Sequence, residues 1–539
     1  MKTLRIVCVL MLGLELALPA AAGGLANLVP GRPLLCLEAA DLAASLASLR
    51  VSPQMEAWYR TAGYTSFRNT KLARKLTARL AEMEAVAGAG LNLQNLQAIA
   101  GGESALALYD IGRMQMLYLS RLPAAGQAAA FLDPLKKKFD QRKEGDLTYY
   151  AKAAEDGSLE FAFAQTGDLL AVSTQVDLVE KAVRAASVAT QTADVLAADP
   201  RYARAAALQS GPADLRMFLD QTRLGGDNYF HAYWIHRNVP DLRWIDAAYV
   251  TARFHERGIE EHRVLLQASQ AASAQPTASA PLGLLAAKLS GGFAYAQLAA
   301  APSGAEIVDA IFQEVLDSEL PSGGQGPSSE LARTLGEAFG KSHFDAMARV
   351  IDPLLEKDEY YRTVPRAVVL FGASALPETS AVVGPVRSWY AEGLTGEADH
   401  PGLAVKAAGG VTSVELPFAV GRGFHVAFGD GKLVLATHAS LAARLAAAAP
   451  PAGAASALPV WRPGPLRSLR WLDLPACRAA FGAVVERTTG PGDDLRRYFE
   501  TDWEGLLSSF SRVRSVADST WVEGDAVRQT IEFGYEPGK

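Results

Sequence analysis

Four of the eight histidines lie within one 32-residue stretch, and imidazole nitrogens are common ligands of divalent metal ions. These residues are His231, His236, His255 and His262. Their spacings do not match a metal site on one helix, whose histidine ligands are four residues apart, because His231 and His236 are five apart and His255 and His262 are seven apart. His255 and His262 flank Gly258, which predicts a hairpin whose two arms bring them near each other. The second half of the chain has no matching histidines, and we predict neither a metal nor a cofactor.

The motifs of phosphate binding and of serine hydrolysis are incomplete or absent in this chain. Residues 336–342 (Gly-Glu-Ala-Phe-Gly-Lys-Ser) resemble a phosphate-binding loop, but three residues separate the glycines where the motif needs four. The segment also ends a helical pattern and does not follow a buried strand, so we interpret it as a helix end. The chain contains no Gly-x-Ser-x-Gly elbow and no Ser-x-x-Lys. We therefore predict no catalytic residue, although an enzyme with an unrecognised site stays as an alternative.

An aromatic cluster overlaps the histidine-rich stretch. Aromatic side chains with polar tips are enriched at interfaces and at ligand surfaces, but they also occur where a helix packs on a sheet. Both interpretations stay open. If the chain has a surface for a partner or a ligand, we expect it at Tyr229, Phe230, Tyr233, Trp234 and Trp244.

The charge balance argues against nucleic acid as a partner. The 539-residue chain has a net charge of −6, whereas nucleic-acid binding depends on clustered Lys and Arg. The one basic run, Lys136 to Lys138, follows Pro134 on a predicted helix and is typical of a solvated helix face.

Cysteine is rare. Apart from Cys8, the chain has only Cys36 and Cys477, each flanked by apolar residues. A disulfide between them would require an oxidising compartment, and the sequence alone does not establish it. Two buried free thiols are the alternative.

The first 22 residues have the pattern of a cleavable signal peptide. Lys2 and Arg5 precede an apolar run, Pro19 interrupts it, and Ala20-Ala21-Ala22 supplies the small residues that a signal peptidase recognises. The apolar run is shorter than the roughly 20 residues that span a bilayer. We expect cleavage after Ala22, a mature protein that begins at Gly23 with no transmembrane segment, and a periplasmic or extracellular location.

The remaining chain shows an internal repeat. In the first half, residues 104–119 predict a hairpin, and residues 147–173 predict a three-strand meander followed by a helix at 176–186. Residues 367–371 and 402–449 repeat this order in the second half. We align Leu169 with Leu433 within the repeated hairpins, and Phe218 with Trp471 within two similar tail segments.

This repeat predicts an α+β fold with two homologous halves, each a largely antiparallel sheet with helices packed on one face. We expect residues 23–268 to form the first copy and residues 285–539 the second. The segment 269–284 is rich in Ala, Ser, Gln, Thr and Pro, which is typical of a linker.

Three features together resemble an uncharacterised bacterial envelope family that is known only as a domain of unknown function. They are the signal peptide, the hairpin that ends at Gly167 to Thr174, and the following helix, Val176 to Ala186. The resemblance is best over Leu34 to Ala186. It implies an exported α+β protein and assigns no activity and no functional residue.

The sequence therefore favours a non-enzymatic binding or scaffold protein of the cell envelope, whose partner is an unidentified envelope protein. The second interpretation is a periplasmic carrier of an apolar ligand such as a lipid. The third is a hydrolase or metal-dependent enzyme. A filled core with an exposed apolar patch would favour the first, a large apolar cavity the second, and a polar cleft the third.

Overall fold

The computed structural model describes most of the chain after residue 23. The described residues are 24–90, 92–123, 126, 128–154, 160–187, 194–209, 211–226, 244–268, 280–289, 293–321, 326–352, 364–373, 375–395, 403–416, 422–447, 466–479, 482, 497 and 512–535. The predicted signal peptide lies outside them.

Twenty strands form the framework of the described residues. The first ten are β1 Leu35–Ala39, β2 Ser104–Asp110, β3 Gln115–Arg121, β4 Asp140–Glu144, β5 Leu147–Ala153, β6 Glu160–Thr166, β7 Leu169–Ser173, β8 Leu215–Asp220, β9 Ile245–His255 and β10 Gly258–Gln267. The second ten are β11 Tyr295–Ala300, β12 Ala346–Ile351, β13 Arg366–Phe371, β14 Val405–Ala408, β15 Val411–Glu415, β16 Arg422–Gly429, β17 Lys432–His438, β18 Leu466–Asp473, β19 Val513–Glu523 and β20 Ala526–Tyr535.

All twenty strands belong to one antiparallel sheet. In the first half the spatial order is β4-β5-β6-β7-β3-β2-β1-β8-β9-β10. In the second half it is β14-β15-β16-β17-β13-β12-β11-β18-β19-β20. The two orders are the same, strand for strand. The fold is therefore α+β with an antiparallel sheet, as the turn and strand patterns predicted.

The last strands of the two halves join them into one sheet. β10 pairs antiparallel with β20, from Gly258 opposite Gly534 to Leu266 opposite Ala526. At the centre of this ladder His262 pairs with Thr530, and His262 Nδ1 lies 2.9 Å from Thr530 Oγ1.

Helices connect and cover these strands. In the first half they are α1 Leu42–Arg50, α2 Pro53–Tyr59, α3 Ala62–Asn69, α4 Lys71–Ala87, α5 Leu93–Ile99, α6 Ala129–Lys136, α7 Val176–Ser187, α8 Pro200–Leu208 and α9 Gln221–Gly226. In the second half they are α10 Ala280–Lys288, α11 Gly304–Ala310, α12 Pro327–Gly340, α13 Thr379–Thr395 and α14 Ala439–Ala446, with a π-helical turn at Ile311–Val315 after α11. Among the described residues, no helix combines the length and the apolar character needed to cross a bilayer.

The expectation of helices on one face of the sheet is wrong, because helices cover both faces. Leu169 and Ala171 of β7 pack in one core with α7, whereas Leu170 between them packs in a second core with α4 and α6. Successive side chains of a strand point to opposite faces, so the unbroken apolar run of β7 requires cover on both sides. The apolar β17 likewise divides its side chains between two cores.

The predicted equivalence of Leu169 and Leu433 is wrong by one residue. The hairpin before β7 turns at residues 167–168, since Thr166 pairs with Leu169. The hairpin before β17 turns at residues 430–431, since Gly429 pairs with Lys432. Lys432 therefore occupies the position of Leu169, and Leu433 that of Leu170. The alignment matched Gly167 with Gly431, but Gly167 is the first residue of its turn and Gly431 is the second residue of its turn. A shift of one residue matters because it exchanges the two faces of a strand.

The predicted linker also needs correction. Residues 269–279 lie outside the described residues, but residues 280–284 belong to α10 and are not a linker. Leu282 and Leu285 of this helix are fully buried in a core of the second half, which gives the segment a packing role that its composition did not indicate.

A candidate apolar binding face

A band of apolar side chains crosses the sheet of the first half without belonging to a core. One row runs Leu106, Leu37, Met217, Val250, and a parallel row runs Leu108, Leu35, Leu219 and, beyond Ala248, Leu265. We call these eight residues the apolar strip. All eight are half-buried, and the five hydrophobic clusters of the described residues do not include them.

The geometry of antiparallel strands sets the size of the strip. It spans the five neighbouring strands β2, β1, β8, β9 and β10, or about 19 Å at roughly 4.8 Å for each strand spacing. Its two rows are two residues apart along each strand, or about 7 Å. The result is a long, narrow surface that runs across the strands.

Helices cover the sheet on one side of the strip. The next row along the strands contains Ala39, Leu215 and Ala252, which pack with α1 and with Met55 of α2. The strip is thus the continuation of a covered sheet face beyond the edge of its helices, and an apolar molecule on it would lie beside them.

The same positions in the second half carry different chemistry. Because Phe218 and Trp471 occupy equivalent places between their neighbouring strands, Leu37, Leu106 and Met217 correspond to Gln297, Arg349 and Arg470. Val250 corresponds to Asp518, which lies opposite Arg470 in the strand register. The other row keeps its character, because Leu108, Leu35 and Leu219 correspond to Ile351, Tyr295 and Leu472. Only one of the two rows is therefore polar in the second half, and the fold does not require apolar residues at those four positions.

In the second half, Arg349 and Asp518 of this polar row form hydrogen bonds with neighbouring side chains. Arg349 donates to Gln313 Oε1 at 3.0 Å and to Asp309 Oδ2 at 3.2 Å. Asp518 accepts a hydrogen bond from Gln529 Nε2 at 2.9 Å. This row is polar and its members form hydrogen bonds with neighbouring side chains, whereas the eight side chains of the apolar strip offer no hydrogen-bonding group.

A network of buried charges lies at one end of β8 in the first half. Arg201 donates to Asp220 Oδ2 at 2.7 Å and to Asp199 Oδ2 at 2.9 Å, and its other nitrogen lies 3.3 Å from Asp246 Oδ1. Arg32 Nη2 also donates to Asp220, at 3.0 Å. Burial alone would raise the pKa of Asp220, but hydrogen bonds from Arg201 and from the Arg223 amide outweigh it and hold the pKa below its ordinary value. Carboxylates paired in this way stabilise a fold and have no proton available for chemistry.

Glu38 is a further buried acid of the first half. Burial raises its pKa, although Tyr202 donates a hydrogen bond to Glu38 Oε2 at 3.0 Å and the Ala26 amide donates to Oε1 at 3.1 Å. Both donors come from segments packed on the sheet, so Glu38 connects the start of the described chain to α8. The buried acid has a structural role in this arrangement.

The structure describes only part of the aromatic cluster. Tyr229, Phe230, Tyr233 and Trp234 lie outside the described residues. Trp244 is half-buried before β9, and its carbonyl accepts a hydrogen bond from the Ala268 amide at 2.9 Å. The apolar strip was not identified from the sequence, and the signal that could have revealed it is the run of large apolar residues at alternate positions in β1, β2 and β8.

The hairpin does not bring His255 and His262 together. His255 lies opposite Gly258, whereas His262 lies opposite Thr251, so several ladder positions separate them. His262 Nε2 lies 3.0 Å from Glu260 Oε1. His231 and His236 lie outside the described residues, and the residues that the structure does describe contain no group of three or more potential metal ligands.

Cys36 and Cys477 are both free and buried, which excludes the disulfide that the sequence left open. Burial raises the pKa of both thiols, that of Cys477 to about 11. Residues 336–340 form the last turn of α12, in agreement with their interpretation as a helix end.

No protein-family model and no curated protein matches the chain. Two solved structures of TP0453, in crystal forms I and III, align with 47% of this chain at 8% identity and cover 82% and 83% of their own chains. Their TM-scores are 0.25 and 0.26, which are too low to carry an argument about fold or function.

Proposed function

We propose that this chain is a non-enzymatic binding protein of the bacterial cell envelope that takes an apolar ligand on the apolar strip. The observation that carries the proposal is a contrast in one row of the strip: Leu37, Leu106, Met217 and Val250 stand where the second half has Gln297, Arg349, Arg470 and Asp518. The eight side chains are half-buried, so solvent reaches part of a contiguous apolar surface, and large apolar surfaces of this kind mark binding sites.

The buried charges support binding over catalysis. Asp199, Asp220 and Arg201 satisfy one another, and Glu38 is held by Tyr202 and a backbone amide. A catalytic acid or base needs access to a reacting group, whereas these side chains face other parts of the fold. The envelope location rests on the signal-peptide pattern of residues 1–22 and stays a prediction.

The proposal also includes a tandem duplication of one ten-stranded unit. The common strand order supports it, and so does a detail of the two tails: Asp220 accepts a hydrogen bond from the amide three residues later, at 3.1 Å, as Asp473 does at 2.8 Å. When the hairpins are aligned at their turns, His262 and Thr530 are equivalent, and they pair with each other at the centre of the β10–β20 ladder. This is the arrangement of a two-fold interface between identical units.

Replacing Met217 with arginine tests the binding face. We expect Met217→Arg to abolish saturable binding of the uncharged dye N-phenyl-1-naphthylamine, whose fluorescence rises on leaving water, because a charge is then placed in the centre of the strip. The stem of an arginine can lie along the sheet, so the free energy of unfolding should change by less than about 1 kcal/mol. The change reproduces the residue that the second half carries at Arg470.

The matched control is Arg470→Ala, which alters the equivalent position of the second half and should leave dye binding unchanged. Equal binding by the wild-type chain and by a folded Met217→Arg chain would disprove the proposed site. So would the absence of dye binding by the wild-type chain.

A further inference from the structure

The chemistry of the apolar strip narrows the class of its ligand. Its eight residues are aliphatic or, at Met217, a thioether, and none has an aromatic ring or a hydrogen-bonding group. The backbone groups beneath them are used in the strand ladders β2-β1-β8-β9-β10. The ligand surface that matches the strip is therefore apolar throughout and needs no hydrogen bond.

A protein partner matches the strip poorly. Interfaces between proteins carry about one hydrogen bond per 100–200 Å² and depend on aromatic and arginine anchors, whereas leucine and valine are under-represented among the residues that contribute most. A second copy of the chain would need about 800 Å² from each partner. Eight half-buried side chains in two rows expose much less than that.

A membrane surface also matches it poorly. Proteins that lie on a bilayer combine apolar residues with a fringe of Lys, Arg and aromatic side chains. The charge next to the strip on β10 is Arg263, which lies opposite Val250 and is paired with Glu261. That pair is neutral overall and supplies no net attraction to acidic lipid.

We infer that the apolar strip binds one acyl chain of a monomeric lipid, extended across β2, β1, β8, β9 and β10. The inference rests on the proposed function and names its ligand class. The strip is about 19 Å long and about two residues wide, dimensions that match a single extended chain such as that of palmitate. The acyl carboxylate or headgroup would remain in solvent, because the strip itself offers no polar contact.

Competition between palmitate and the dye tests the inference. The mature chain is saturated with N-phenyl-1-naphthylamine and titrated with monomeric palmitate below its aggregation concentration. We expect palmitate to displace the dye with a stoichiometry of one per chain. We expect Met217→Arg to weaken palmitate binding at least tenfold, measured directly by calorimetry, and Arg470→Ala to change it less than twofold.

The possible results distinguish a wrong ligand class from a wrong binding site. The first outcome is that the wild-type chain binds the dye, Met217→Arg does not, and palmitate fails to displace the dye from the wild-type chain. This result would overturn the acyl-chain inference and leave the proposed function intact. Palmitate that binds equally to wild type and to Met217→Arg would overturn it as well. Co-flotation of the wild-type chain with phosphatidylcholine vesicles, abolished by Met217→Arg, would assign the strip to a bilayer surface and overturn the single-chain mode.

Discussion

Replacing Gly258 with alanine is expected to destabilise the protein by about 3 kcal/mol or more, because the new methyl group has no room at the junction of the two halves. A Cβ atom at this position would lie 2.0 Å from the carbonyl oxygen of Phe533 in β20. Gly258 also has a φ of +153°, a conformation that residues with a side chain rarely adopt. Urea denaturation of the full chain measures the loss.

Gly524→Ala is the matched control. Gly524 lies in the turn between β19 and β20 with a φ of +64°, and a Cβ atom there would meet no atom within 4 Å. The conformational penalty alone predicts a loss of about 1 kcal/mol. Equal losses for the two variants would contradict the close β10–β20 pairing that makes the sheet continuous.

Replacing Asp220 with alanine is the second change with a large expected effect. Asp220 is fully buried and accepts hydrogen bonds from Arg201, Arg32 and the amide of Arg223. Its removal leaves the partly buried guanidinium of Arg201 without one of its carboxylate partners, which predicts a loss of about 3 kcal/mol in the free energy of unfolding. Asp473→Ala removes the equivalent helix cap and should cost about 1 kcal/mol.

The pH dependence of the Asp220 effect follows from its pKa, which lies below its ordinary value in the folded chain. The stabilisation is therefore fully present above the unfolded pKa of about 3.9 and is lost as the pH falls through the lower folded pKa. The difference between wild type and Asp220→Ala should be constant near neutral pH and shrink below about pH 4. A difference that instead decreases between pH 6 and 8 would contradict this assignment.

Much of the local structure could be predicted because alternating side chains and turn residues are local signals. The meander β5 to β7, the helix α7 and the α+β class followed from them. β4 could not be predicted, because its sequence Asp-Gln-Arg-Lys-Glu contains no apolar residue, and it becomes a strand through backbone pairing with β5. The equivalence of Leu169 and Leu433 failed because similar residues occupied different places in two hairpin turns.

The apolar strip could not be predicted from short stretches of the sequence, because its residues come from strands that are far apart in the chain. Leu37 of β1 lies between Leu106 of β2 and Met217 of β8, residues that are far from it in the chain. Each strand alone resembles an ordinary buried strand. Only the strand order shows that these side chains form one surface, and only the second half shows that one of its two rows can be polar.

Methyl NMR of the chain, labelled at Leu, Met and Val, tests the proposed binding face most directly. Titration with palmitate should shift the methyl signals of all eight residues of the strip, Leu35, Leu37, Leu106, Leu108, Met217, Leu219, Val250 and Leu265, because an acyl chain on the strip contacts each of them. The signals of Leu472 and Val516, which lie on the equivalent face of the second half, should not move. Shifts at Leu472 and Val516 with none at Met217 would contradict the account.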